Sequence, residues 1–190
     1  MAIELRLEAI TDEKLLAISQ SNPGYRFERS PEGKLIVSPT SLFASGGEGE
    51  LHSQVRTWAK KTKLGRAFPA TGGFTLPDTA VKAADTSYFS NARLVGTESS
   101  EDAFPRVAPS VAFELMSPTD TLADSMQNVV SYLANGSDVG VLITKTAAVM
   151  ILRPGADWVT FNTQFVEIGP EMPGFELDVA EIMHEQRQGV

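Results

Sequence analysis

At 190 residues, with 42% hydrophobic and 21% charged residues, the chain has the composition of one folded domain covering residues 1–190, not of a disordered polymer. Cysteine is absent, which excludes disulfides, thiolate metal sites and cysteine nucleophiles and fits a reducing cytoplasm. A formal net charge of −8 argues against general polyanion binding, so any contact with nucleic acid needs locally concentrated cations.

Met1 to Arg6 lack the basic-then-apolar order of a signal peptide, and no apolar run approaches the ~18 residues needed to span a membrane, so a cytoplasmic protein is expected. Thr11 is placed to cap a helix over Asp12 to Ser19, which Asn22-Pro23-Gly24 ends. Tyr25–Glu28 and Lys34–Ser38 read as a hairpin around Ser30-Pro31-Glu32-Gly33. After a loop at Ser45-Gly46-Gly47, Leu51, Val55, Trp58 and Ala59 recur at helical spacing, which predicts a helix from Glu48 to Lys63. Strands follow at Arg66–Thr71, Phe74–Leu76, Val81–Phe89 and Val111–Leu115. Ser117-Pro118-Thr119-Asp120 opens a second amphipathic helix, with Leu122, Met126, Val129, Val130 and Leu133 as its buried stripe and Asn135-Gly136 as its stop. Val139–Thr144, Ala147–Arg153 and Trp158–Ile168 are further strands, before a short element ending near Met183. This order describes an α+β domain, a mixed sheet flanked by helices, not a doubly wound parallel array.

Most familiar sites are absent: there is no nucleophile elbow, phosphate-binding Gly-Lys-Ser/Thr loop or dinucleotide fingerprint. His52 and His184 lack a second ligand at metal spacing and read as exposed helix or tail residues. Two carboxylates stand out because they interrupt apolar strands. Asp85 lies in Val81–Phe89 and Glu114 in Val111–Met116, where a charge needs a partner, an ion or water. A salt bridge to arginine, an exposed edge position and a shared metal ion all answer that need. Arg56, Lys60, Lys61 and Lys63 form the one dense basic stretch of this region; they suit the negative end of the helix that they close, with a DNA-guiding role as the alternative.

Several stretches together resemble one known family: Thr71-Gly72-Gly73-Phe74-Thr75-Leu76-Pro77, the Asp85 strand with Phe104-Pro105, Pro109 through Asp120, Tyr132-Leu133-Ala134-Asn135-Gly136, and Pro173 through Asp178. This pattern is similar to the Uma-type restriction endonuclease family, which has the PD-(D/E)XK nuclease fold, and it spans about residues 12 to 183. The resemblance implies a restriction-endonuclease-like fold in which Asp85 and Glu114 are catalytic carboxylates. It also implies a Mg²⁺ or Mn²⁺ ion bound by Asp85, Glu114 and the Leu115 backbone carbonyl, with Glu50 as a weaker helix candidate. The proline that usually precedes the strand aspartate is Ala84 here. The family lysine, which in this family sits on the helix after Glu114, falls on Asn128. Lys82 and Lys145 are available as substitutes, and spacing recommends neither.

Three functions follow as expectations. One is a Mg²⁺-dependent DNA endonuclease, weakened by the missing lysine. Another is a degenerate nuclease domain that binds metal, DNA or protein without turnover, and the third is a structural oligomerisation module. A homodimer suits the first, because cutting both strands of a duplex needs two sites.

Overall fold

The Thr11 hydroxyl accepts from the Lys14 amide and caps α1 (Asp12–Ser21), with Asp12 and Glu13 complementing the first-turn dipole. The computed structural model describes residues 10–39, 42–97 and 104–187. β1 (Tyr25–Arg29) and β2 (Leu35–Pro39) form the expected antiparallel hairpin, with Phe27 opposite Val37.

The next helix, α2 (Leu42–Thr62), begins before Glu48 and takes Ser45-Gly46-Gly47 into its first turns. Those glycines are contact surface and not a loop. A β-carbon on Gly47 would lie 2.8 Å from Leu115 Cδ2 and 3.1 Å from Gln186 Cβ, and one on Gly46 would lie 3.0 Å from the Glu185 carbonyl oxygen. Their bare backbone lets α2 and the C-terminal helix α5 (Val179–Arg187) cross closely, which outweighs the poor helix propensity of glycine.

β3 (Gly65–Pro69), β4 (Phe74–Thr75), β5 (Val81–Lys82) and β6 (Thr86–Ser90) follow, then the single turn α3 (Asn91–Leu94). The expected continuous strand Val81–Phe89 is therefore two strands in two sheets. Backbone partners explain the break. The Ala83 amide donates to Glu28 Oε1, and Asp85 uses its side chain to take an amide from the neighbouring strand, so side chains replace ladder bonds over residues 83–85.

β7 (Val111–Leu115), α4 (Leu122–Ala134) and β8 (Val139–Ile143) make the one parallel pair of the larger sheet, the helix providing the crossover. β9 (Val149–Leu152) and β10 (Val159–Phe161) complete a six-stranded sheet in the order β10-β9-β8-β7-β6-β3. The hairpin, β5 and β4 form a four-stranded sheet, β2-β1-β5-β4. The expected strand Trp158–Ile168 also divides, because β11 (Phe165–Glu167) leaves the large sheet to pair with β12 (Glu176–Asp178). This is a mixed α+β fold.

Alternation along β7 sorts its side chains between two layers. Phe113 and Leu115 join Leu51 and Val55 of α2 and Ile182 of α5 in the main core. Ala112, Glu114 and Met116 face the other layer, where α4 packs Val129 and Tyr132. The buried stripe of α4 is rotated from the expected one: Leu122 and Val130 are exposed, while Tyr132 is fully buried and Asn128 turns partly inward. Among the described residues, no helix is long and apolar enough to cross a membrane.

Candidate active site

The break after β5 places Asp85 at the entrance of β6 with 3% exposure, too little for an unpaired carboxylate. Both its oxygens are used. Oδ2 accepts from the Leu115 amide at 2.8 Å, and Oδ1 accepts from Arg26 Nη1 of the hairpin at 2.6 Å. The first bond ties Asp85 to the residue beside Glu114, and the charge of Asp85 acts on the Glu114 carboxyl. Leu115 turns its amide, and with it that edge of its backbone, toward Asp85.

Glu114 is the less satisfied partner. Its Oε1 and the Tyr132 hydroxyl are both buried without a well-formed hydrogen bond, yet the phenol stands near enough to act on Glu114 both by charge and as a hydrogen-bonding group. Burial, then the charge of Asp85, holds the Glu114 carboxyl well above the usual range, and Arg26 offsets only part of this. Burial and Glu114 likewise push the Tyr132 phenol up. Burial alone would lower the Arg26 guanidinium, but Asp85 chiefly, with Glu114 and Glu28, more than reverses that and keeps it charged.

The helix acid that senses this centre is Glu48, not Glu50. Burial and the charge of Asp85 raise Glu48 to about 7, against the pull of Arg26. Glu50 points elsewhere, accepting from Gln54 Nε2 at 3.0 Å, and Gln54 in turn holds the Asp178 backbone at 3.1 Å. The sequence carried a usable signal, since Glu48, Leu51 and Val55 lie on one helical face at spacings of three and four. Starting the helix at Glu48 hid it.

A cleft of about 750 Å³ opens between α1, the hairpin and α2, lined by Tyr25, Arg26, Glu48, His52, Ala83 and Asp85 among others. Glu114, half-buried, does not line it. His52, dismissed on sequence grounds, borders this cleft with its Nδ1 buried and unpartnered among the described residues; burial and Arg56 lower its pKa. His184 is exposed. Arg56, Lys60, Lys61 and Lys63 are exposed and line no part of the cleft. From Glu48 to Lys60 the helix rises ~18 Å.

At the position of the family lysine, the Asn128 side chain does not face an empty space. Its Oδ1 accepts from Lys82 Nζ at 2.5 Å, and the same ammonium reaches Ser131 Oγ at 2.6 Å. Lys145 points away, donating to the Pro118 carbonyl.

The donor set fits a divalent cation. It offers oxygen ligands of the kind that Mg²⁺ requires, and one of them, Glu114 Oε1, is buried without a well-formed hydrogen bond and feels the charge of a second carboxylate, Asp85. Among the described residues, no three Asp, Glu or His side chains gather at ligand spacing, so water and backbone would have to complete the shell.

The chain matches the Uma2 family, described as "Putative restriction endonuclease", over residues 12–180. It belongs to that family. Among solved structures, the Uma2 chain is similar to one described as "a putative nuclease belonging to DUF820" from Anabaena variabilis ATCC 29413. The TM-score is 0.72 at 22% identity, over 90% of this chain and 98% of that one, a likeness that shows the restriction-endonuclease-like fold. A looser likeness, with a TM-score of 0.40 at 11% identity, relates 78% of this chain to 13% of a chain in a DrdV–DNA complex. No curated protein matches.

Proposed function

We propose that this chain is a divalent-metal-dependent nuclease that hydrolyses phosphodiester bonds in DNA. The observation that carries this reading is the coupling of Asp85, on the cleft wall, to Glu114 through charge and through the Leu115 amide, with Glu114 Oε1 buried and without a well-formed hydrogen bond. Asp85, Glu114 and the backbone of Leu115 would hold the ion. When bound, Mg²⁺ or Mn²⁺ supplies a Lewis acid for the scissile phosphate and makes a bound water acidic. The chain's own residues do the rest. Leu115 N–H orients Asp85, the buried Tyr132 phenol of α4 acts on Glu114, and Glu48, raised to about 7, can accept a proton at the cleft wall.

A second reading has its own observation. Arg26 already supplies Asp85 with a positive charge, as in a nuclease fold kept for binding alone. Duplex cleavage in Mg²⁺ and in Mn²⁺, by the unmodified chain and by Asp85→Asn and Glu114→Gln, separates the two. Metal-dependent cutting that both substitutions reduce at least ~10²-fold supports the nuclease. A chain that binds Mn²⁺ and duplex without cutting is the binding module.

A further inference from the structure

The family position for lysine carries an amide, and a lysine from another element reaches that amide. Lys82 is the last residue of β5, paired with Phe74 of β4, and its side chain crosses to the inner side of α4. There the ammonium donates to Asn128 Oδ1 at 2.5 Å and to Ser131 Oγ at 2.6 Å, and stands 4.8 Å from the centre of the Tyr132 ring. The mount is built of acceptors. The Ser131 hydroxyl donates its own proton to the Asn128 backbone carbonyl at 2.6 Å, leaving lone pairs for the ammonium. An ammonium has three donors, and these bonds use two of them. The charges of Glu114, Glu28 and Asp78 all act on Lys82, so it belongs to the same electrostatic centre as the proposed ligands.

We infer that Lys82 is the catalytic lysine of this site, displaced from α4 to β5 and positioned by Asn128 and Ser131. Asparagine in place of lysine at 128 brings a carbonyl acceptor that an ammonium lacks, which is the change needed to hold a donor arriving from elsewhere. The role is electrostatic: the charge of Lys82, which Glu114 already feels, would act on a phosphate held at that carboxylate's ion, with the third N–H left to donate. This rests on the nuclease reading, and on that reading the site is complete, not missing a part.

The test uses the full chain in Mg²⁺ and Mn²⁺, with Lys82→Met, Asn128→Ala, Asn128→Lys and the double variant Lys82→Met/Asn128→Lys, each first checked by thermal melting. Lys82→Met should cut ~10²-fold more slowly. The double variant should recover most of that loss, and Asn128→Ala should lower kcat with little change in KM. Asn128→Lys alone should be no faster than the unmodified chain, because two ammonium groups would then compete for one place. A readout apart from activity is duplex affinity in Ca²⁺: Lys82→Met should flatten the slope of log affinity against log salt by about 0.9, one phosphate contact. Should Lys82→Met fail to fold, Asn128→Ala and the double variant carry the comparison.

Cleavage by Lys82→Met at the unmodified rate, or an unchanged salt slope, overturns Lys82 and leaves the nuclease reading intact. A silent unmodified chain that Asn128→Lys switches on does the same. If no variant cuts and none binds Mn²⁺, the nuclease reading falls and takes Lys82 with it.

Discussion

Arg26 and Asp85 neutralise each other across 2.6 Å, yet the arginine side chain is a quarter exposed and the aspartate almost fully enclosed. Removing the arginine would therefore strand a buried charge beside Glu114. Arg26→Met should cost about 3 kcal/mol in urea denaturation, the low end for a broken buried pair because Arg26 keeps some contact with water. Millimolar Mn²⁺ should return more stability to that variant than to the unmodified chain, and an equal response would mean that the ion does not go to Asp85. Glu48 sets a pH dependence. Its carboxyl is raised to about 7 from 4.5, so the folded chain binds an extra proton between those values and the unfolded chain does not. Stability from this group is present at pH 4.5 and is lost as pH rises toward and through 7. Glu48→Gln should thus gain on the order of 1 kcal/mol over the unmodified chain at pH 8, allowing for partial exposure, and nothing at pH 4.5. Melts at the two pH values check the sign. Of these residues, Asp85 and Glu114 stand out in the sequence because each breaks an apolar run, and Glu48 shares a helical face with Leu51 and Val55. Arg26 lies 59 positions from Asp85 and Lys82 lies 46 from Asn128, and no local pattern joins residues so far apart.

At the scale of elements, the seating of α4 on β8 decides where Asn128 and Ser131 stand. Gly140 makes this contact possible: a β-carbon there would lie 2.2 Å from Val129 Cγ1. Gly140→Ala must push α4 off the sheet, at a cost of about 1–3 kcal/mol for overpacking. Because the lysine mount travels with the helix, cleavage should fall by more than the lost folded fraction explains, which activity measured alongside a denaturation curve resolves. Existence and type of most elements could be read from periodicity and capping, as Thr11, Asn135-Gly136 and the Val111–Leu115 run show. Boundaries failed where tertiary contact overrode local preference. Gly46 and Gly47 look like a loop until α5 is laid across them, and Val81–Phe89 looks like one strand until Glu28 and Asp85 take over its backbone partners.

The molecule as a whole carries −8, and its basic stretch at Arg56, Lys60, Lys61 and Lys63 lies well along α2 from the carboxylates. These cations complement the negative end of the helix dipole, so Lys60→Glu/Lys61→Glu should cost up to ~1 kcal/mol and leave duplex affinity in Ca²⁺ unchanged. A fall in the salt slope by about two in that variant would instead make the patch part of the DNA surface.

The hairpin meets the rest of its sheet through one residue pair, Arg29 with Val81, and its other ties include Glu28 to the Ala83 amide and Arg26 to Asp85. An ion that claims Asp85 must compete with Arg26, so cation affinity and hairpin docking share one free energy. Such coupling is reciprocal. Loading the site with Mn²⁺ should loosen the hairpin, and anything that frees the hairpin should tighten the ion. Amide exchange reads this directly: Phe27 and Glu28 should exchange faster with the cation present, while Val141 and Ile143, in the centre of the large sheet, slow down. A hairpin far from the carboxylates in sequence would then report whether they are occupied.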